Sequence, residues 1–294
     1  MRIKNTNIEY VDHIKNCTLD IPKSGKFIVR TNNQLVWIEY FKTREILIHK
    51  KYRAHIVRSI TPDEKYGLFT AEGETELVIL SLPDLVKFNS IPVDYCTNLI
   101  FISNDEVMFW ESVKSQPKRE LKIWNFKTNE IETIYSVLSV NVFSIKDKFI
   151  SIEDDEKEKT HKITVFEGRK STSFKIDKWR CRYDSVSQLD GIGLLCAPLE
   201  EKTLYLYDVE KQTYEIVLKK NIYSPRWITK DLFWFIEREE NWYDSCSGVM
   251  DTSGRVYWKT KNPYELRFLS NDDYFKVTGC CDNYLFRILK NEKE

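Results

Sequence analysis

Ala54-His55-Ile56-Val57-Arg58-Ser59-Ile60-Thr61-Pro62-Asp63-Glu64-Lys65-Tyr66-Gly67-Leu68-Phe69-Thr70-Ala71 opens the stretch that decides the fold. Glu72-Gly73-Glu74-Thr75 and then Glu76-Leu77-Val78-Ile79-Leu80-Ser81-Leu82-Pro83-Asp84-Leu85-Val86-Lys87-Phe88 complete it. Apolar runs too short for a helix are separated by turn signals at Pro62-Asp63, Glu72-Gly73 and Pro83-Asp84. Pro fixes φ, and Asp and Gly accept the left-handed region, so each pair ends a strand by a stated mechanism. The spacing predicts four strands, A to D, in one unit.

The unit recurs. Asp63, Asp105, Asp147, Asp190, Asp231 and Asp272 lie 42, 42, 43, 41 and 41 residues apart. Most close a similar phrase: Ile60-Thr61-Pro62-Asp63, Ile102-Ser103-Asn104-Asp105, Ser144-Ile145-Lys146-Asp147, Ile228-Thr229-Lys230-Asp231 and Leu269-Ser270-Asn271-Asp272. A fixed period of this size means a stacked array of one supersecondary unit. Four-stranded units arrayed radially make a β-propeller, in which each blade buries its faces against its neighbours. The approximate units are 14–53, 54–96, 97–138, 139–180, 181–222, 223–262 and 263–294 with 1–13. The last unit, from Tyr264 to about Leu289, holds three strands, and the run from Ile3 to Ile14 precedes the first complete unit. The N-terminal run is therefore expected to supply the outer strand of the last blade and close the ring. The expected fold is one all-β domain, a seven-bladed propeller. A six-bladed ring with one irregular unit is the alternative, because Ser187-Gln188-Leu189-Asp190 departs most from the phrase.

On these residues the chain resembles the WD-repeat propellers. Thr61-Pro62-Asp63-Glu64-Lys65-Tyr66 takes the place of that family's turn between strands A and B. Leu121-Lys122-Ile123-Trp124-Asn125-Phe126 and Leu204-Tyr205-Leu206-Tyr207-Asp208 are similar to its Trp-Asp strand ending. Ala54-His55 comes nearest to its Gly-His pair, so the His-Asp network that the resemblance implies is expected to be absent from most blades.

Lys plus Arg equals Asp plus Glu at 45 each, which argues against a nucleic-acid or anionic-membrane partner. Hydrophobic residues at 42% supply a sizeable core, and no apolar run has the length of a membrane span. Met1 to Asn7 lacks the apolar core of a secretion signal. Seven cysteines without framework spacing read as free thiols in a reducing compartment, so the expected location is cytoplasmic and the expected state monomeric.

No motif supplies catalysis or a cofactor. His13, His49, His55 and His161 are scattered at spacings that build no metal site, and no CxxC occurs. Gly191-Ile192-Gly193 and Ser245-Cys246-Ser247-Gly248 lack the strand-turn-helix setting of phosphate loops and nucleophile elbows. The periodic aspartates read as turn residues that end strand A.

The segments joining strand D of one unit to strand A of the next are richer. They carry Tyr52, Arg53, Tyr95, Trp179, Arg180, Arg182, Tyr183, Tyr223, Arg226 and Tyr264, and the loop from Glu237 to Asp244 adds Trp242 and Tyr243. Tyr, Trp and Arg dominate binding hot spots, and these loops share one face of a propeller with the B–C loops. The expected function is a non-enzymatic protein-interaction module using that face. Abundant Ile, Lys, Asn, Tyr and Phe fit AT-rich coding, and with it a bacterial regulatory or immunity protein. The alternative is an enzyme, or a small-ligand or glycan binder, using the central channel.

Overall fold

A computed structural model describes the chain apart from residues 1, 5, 16, 54, 72–74, 114–117, 139–140, 146–147, 156, 177–186, 189–193, 197–201, 209–210, 212, 230, 238–244, 262–263, 279–281 and 290–294. The regular elements described are all strands, and they form seven four-stranded antiparallel sheets. Blade 2 shows the plan: strand A is Ile56–Ile60, B is Tyr66–Ala71, C is Glu76–Ser81 and D is Val86–Pro92. Six sheets are laid out at comparable length. The fifth rests on shorter inner strands, Ser187–Gln188 and Leu194–Cys196, where the repeated phrase is weakest. The fold is thus an all-β propeller with four-stranded antiparallel blades.

Burial follows position in the blade. Strands B and C of blade 2 are buried on both faces, because each blade is sandwiched between two others. Strand D is mostly exposed and carries Lys87 and Asn89 among its apolar residues. Strand A adjoins strand A of the next blade around the arc of blades 1 to 4. Blade interfaces fill with large side chains: Trp124 and Phe126 of blade 3 pack with Leu68 and Ile79 of blade 2.

Two B–C hairpins are long: pairing continues to Ser112↔Arg119 in blade 3 and to Asp155↔Thr160 in blade 4. Each added antiparallel pair satisfies main-chain groups that a loop would leave to water.

The turn after strand A is held less by the periodic aspartate than by the small polar residue two places before it. Thr61 Oγ1 accepts from the N–H of Tyr66 (3.0 Å), Ser103 Oγ from Asp105 (3.2 Å) and Thr229 Oγ1 from Leu232 (3.2 Å). Asp63 makes the local bond of a turn residue, accepting from Lys65 N–H at 3.2 Å, while the left-handed residue of this turn is Glu64. The Asp63 N–H donates to Asn104 Oδ1 of blade 3 (2.9 Å), so the turn also joins two blades.

The C–D turns make a second set of joints. Arg44, Leu85, Asn129, Gly168 and Gly254 in five of these turns have positive φ. Four of the turns, or the strands beside them, bond the preceding blade. Arg44 donates to Asp12 (2.8 Å), Leu85 O accepts from Tyr52 (2.9 Å), Asn89 donates to Phe126 O (2.7 Å), and Arg169 bridges Glu106 and Glu132. A left-handed Arg or Leu is disfavoured by roughly 1 kcal/mol or more. Arg44 offsets this with its bonds to Asp12 and Glu39, and Leu85 by complete burial. At Gly254 a Cβ would stand 2.6 Å from Leu218 Cδ2 of blade 5, and φ is +84°.

The ring closes as the sequence predicts. Ile8–Lys15 runs antiparallel to Asp282–Ile288, from Ile8↔Ile288 to Lys15↔Asp282, as the outer strand of the blade whose inner strands are Glu265–Phe268, Tyr274–Thr278 and Asp282–Ile288. Ile3, Ile8 and Ile14 are buried, and Ile8 is 0% exposed.

Removing residues 1–15 should therefore lower the melting temperature and produce aggregation, because an unpaired strand edge is opened. Ile8→Ala alone should cost about 2–4 kcal/mol in denaturant unfolding. A truncated chain that melts unchanged and elutes as the same species would refute this closure. Gly254→Ala should cost about 1–3 kcal/mol by the same assay, from strain at positive φ and the clash with Leu218.

Candidate functional site

Two regions gather polar or interaction-prone side chains: the face formed by the D–A and B–C connections, and the inner end of strand A near the axis.

On the D–A face, Tyr95 is 56% exposed and Leu138, the last residue of strand D in blade 3, is 70% exposed. The backbone that presents Tyr95 is pinned, since Ser112 N–H donates to Tyr95 O (2.9 Å) and Asp94 N–H to Glu111 Oε1 (2.6 Å). Beside them Glu111, Lys122, Glu120 and Lys118 form a chain of ion pairs across strands B and C. Exposed apolar groups with a charged surround are the anatomy of an interface centre and rim. Leu138 was not among the residues singled out from the sequence. Its signal, an apolar residue ending a strand of mixed polarity, is too common to be specific.

The other anticipated residues separate into groups. Arg53 is exposed, and Arg226 lies half-buried in strand A of blade 6. Tyr223 belongs to the same strand, with its side chain outside the described residues. Tyr52 is half-buried with its hydroxyl committed to Leu85 O. Tyr264 is only 4% exposed. Its N–H donates to Ser247 Oγ, its carbonyl accepts from Trp234 Nε1, and its ring packs edge-on to Tyr284. Apolar ring area gains more from the gap between blades than from solvent, so Tyr264 packs the ring instead of serving the face. Trp179, Arg180, Arg182, Tyr183, Trp242 and Tyr243 lie outside the described residues.

Near the axis, Asp20 of blade 1 is buried and accepts from Ser270 Oγ (2.6 Å), Ser270 N–H (2.8 Å) and Ile21 N–H (3.0 Å). Ser270 belongs to blade 7, and its Oγ also accepts from Ile60 N–H of blade 2 (2.9 Å). One hydroxyl thus joins three blades. Lys276, 7% exposed in strand B of blade 7, donates to Leu19 O of blade 1 (2.8 Å). Arg267, paired across the sheet with Lys276, and Arg58 of blade 2 are close enough to act on its charge. Arg58 also donates through Nε to Thr70 Oγ1 (2.9 Å).

Burial dominates the electrostatics of this group. It pushes the Asp20 carboxyl up to about 6, against the lowering effect of the Ser270 bonds and Lys276. It lowers the Lys276 ammonium to about 8, with repulsion from Arg267 and Arg58 adding to the effect and attraction to Asp20 opposing it. The turn reading of the periodic aspartates missed this group: Asp20 lies 43 residues before Asp63 but ends strand A itself instead of standing in the turn that follows. The available signal was Lys276 itself, a cation within Tyr274-Phe275-Lys276-Val277.

Thiols and imidazoles build no reactive centre among the described residues. Burial raises the Cys17 and Cys246 thiols, away from the reactive thiolate. His161 is buried with Nδ1 2.9 Å from Asp154 Oδ1, and His55 Nδ1 lies 2.9 Å from Arg53 O. The one His-Asp contact described thus spans strands B and C of blade 4, while the imidazole nearest a Gly-His position bonds a local carbonyl. Among the described residues no three His, Cys, Asp or Glu side chains come together as metal ligands.

This geometry has known counterparts in shape. The chain resembles the β-propeller domain of Swd1 from Myceliophteria thermophila, with a TM-score of 0.59, 10% identity, and 96% of this chain and 99% of that one covered. The WD40 repeats of RRP9 give a TM-score of 0.56 at 10% identity, covering 96% and 97%. The β-propeller domain of the Trilobed protease from Pyrococcus furiosus gives 0.57 at 16% identity, covering 95% and 100%. No protein-family model matches, and no curated protein matches in sequence. The fold is thus that of a β-propeller, similar in shape to WD40-repeat propellers. The Pyrococcus domain is described as having an open velcro topology, whereas here the N-terminal strand completes the last blade.

The Asp20 shift gives a signed prediction. A carboxyl raised in the fold contributes stability that is present below its unfolded value and lost as pH rises through about 6. Relative to Asp20→Asn, the wild type should lose on the order of 2 kcal/mol between about pH 4 and pH 6 in urea unfolding. Asp63, Glu76 and Asp251, whose carboxyls are lowered, titrate in both proteins and cancel in the difference. A pH-independent difference would contradict the assignment.

Proposed function

We propose that this protein is a non-enzymatic protein-interaction module that binds a partner through its D–A and B–C face. One observation carries the reading. Tyr95 and Leu138 project from the same face on pinned backbone, beside a chain of ion pairs. A rigid exposed aromatic loses little entropy on binding, and surrounding charges exclude wrong partners. Arg53 and the unplaced Trp179, Arg180, Arg182, Tyr183, Trp242 and Tyr243 belong to the same proposal, as do a monomeric state, a cytoplasmic location and a bacterial regulatory or immunity role.

The channel alternative, a small-ligand site or an enzyme, draws support from a separate observation, the convergence of Arg58, Arg267 and Lys276 beside Asp20. Propellers host both kinds of function, so the fold does not choose between them.

The test is a quantitative pull-down from the native host with wild type, Tyr95→Ala/Leu138→Ala, and Ile46→Ala/Leu47→Ala on the exposed outer strand of blade 1 as control. The face variant should keep its melting temperature and lose partner recovery about tenfold or more, while the control keeps both. A partner retained equally by all three proteins, or no stoichiometric partner for any, would overturn the reading.

A further inference from the structure

Main-chain N–H groups on the inner edge of a blade have no further strand to meet, so each needs an acceptor from a neighbouring blade or from water. Two such groups, two serines and one carboxyl form a single chain at the axial end of the seam. Phe101 N–H of blade 3 donates to Ser59 Oγ of blade 2 (3.4 Å), and Ser59 Oγ lies 3.3 Å from Ser270 Oγ of blade 7. Ile60 N–H of blade 2 donates to the same Ser270 Oγ (2.9 Å), which stands 2.6 Å from Asp20 Oδ2 of blade 1. The chain thus crosses blades 3, 2, 7 and 1. Ser59 and Asp20 are buried and Ser270 is half-buried between them.

Donor and acceptor roles follow by elimination. A serine hydroxyl has one hydrogen and two lone pairs, and an ionised carboxylate only accepts. With Asp20 ionised, the Ser270 hydrogen therefore goes to Oδ2, and one Ser270 lone pair takes Ile60 N–H. The other pair receives the Ser59 hydrogen, and Ser59 in turn accepts from Phe101. Each hydroxyl is then satisfied, and the chain points towards Asp20. Asp20 Oδ1 already takes the N–H groups of Ile21 (3.0 Å) and Ser270 (2.8 Å), so an added proton belongs on Oδ2. That proton lies along the 2.6 Å line to Ser270 Oγ. The Ser270 hydrogen must then turn to Ser59, and the Ser59 hydrogen must turn away. One proton enters from solvent, and each hydroxyl keeps its own hydrogen.

We propose that Asp20, Ser270 and Ser59 form a proton-operated relay, in which protonation of the blade 1 carboxyl reverses both hydroxyls and is registered at the Phe101 N–H of blade 3. The relay is independent of the D–A face and of any ligand. Lys276, on strand B of blade 7, favours the ionised form of Asp20, and Arg267, Arg58 and Cys17 act on Lys276 in turn. Burial outweighs Lys276 and the Ser270 bonds and holds the carboxyl at about 6, so the reversal falls close to neutrality. Lys276 itself titrates higher, at about 8, because burial and the two guanidinium groups disfavour its charge.

The test is two-dimensional NMR of the full chain, following the backbone amide signals of Ile60, Phe101 and Ser270 from about pH 4.5 to pH 7.5. All three should titrate with one midpoint near 6, while the amide of Val249, in the buried strand C of blade 6, stays flat. Asp20→Asn presents an N–H where the protonated carboxyl has its O–H, so the three signals should rest near their acid positions at every pH. In Ser59→Ala the Ile60 and Ser270 signals should keep the midpoint while the Phe101 titration is lost. This variant leaves Asp20 and Ser270 in place, and it decides the matter even where Asp20→Asn does not fold. A Phe101 signal that is flat in the wild type, or that titrates equally in Ser59→Ala, overturns the relay. Titration of Val249 with the same midpoint would mark a general opening of the ring and overturn it as well.

Discussion

A ring of blades is cut once by necessity, where the chain begins and ends, and the ladder between Ile8–Lys15 and Asp282–Ile288 spans that cut. Elsewhere successive blades are joined covalently through a D–A connection. Here main-chain hydrogen bonds, buried isoleucines and a few side chains carry the junction. Edge strands are liabilities because their N–H and C=O groups pair with whatever is offered, so the intramolecular pairing also removes a route to aggregation. Arg44 of blade 1 reaches Asp12 on the closing strand, and Asn271 of blade 7 donates to Pro22 O and Lys23 O of blade 1. The seam is therefore tied at the outer strand, at the A–B turns and at the axis.

The same logic recurs around the ring with different chemistry. Ser24 bonds Glu64, Asp63 bonds Asn104, and Asn89 bonds Phe126 O, each across a blade boundary. Individually, exposed polar contacts of this kind contribute little. Their value lies in orientation. Apolar packing between flat sheets is permissive about rotation, and directional bonds at both ends of an interface fix it. The axial group differs in that Asp20 and Lys276 are buried and charged, so their desolvation opposes folding at neutral pH.

Sequence periodicity alone carried the architecture. The four-strand reading of residues 54–88 matches the observed strands to within a few positions because turn chemistry is local: Pro62-Asp63 and Pro83-Asp84 act on their own backbone. Closure by the N-terminal run was legible because three strands at one end and one at the other leave a single place for pairing. Departures arose where neighbours decide. Tyr264 was grouped with the exposed aromatics, yet it is buried by Tyr284 and Trp234 from other strands. The turn role given to the aspartates belongs largely to Thr61, Ser103 and Thr229, since a hydroxyl two residues earlier sits closer to the strand B N–H groups.

What the sequence determined by itself was the unit, its period and the β-propeller that follows, because strand lengths and turns depend on residues adjacent in the chain. Only the tertiary structure decided which polar groups meet. Asp20 and Ser270 are separated by 250 positions and lie 2.6 Å apart, and Ser270 bonds Ile60 from 210 positions away. Closing the ring brings the two ends of the chain to one seam, and no local pattern records which side chains will face each other across it.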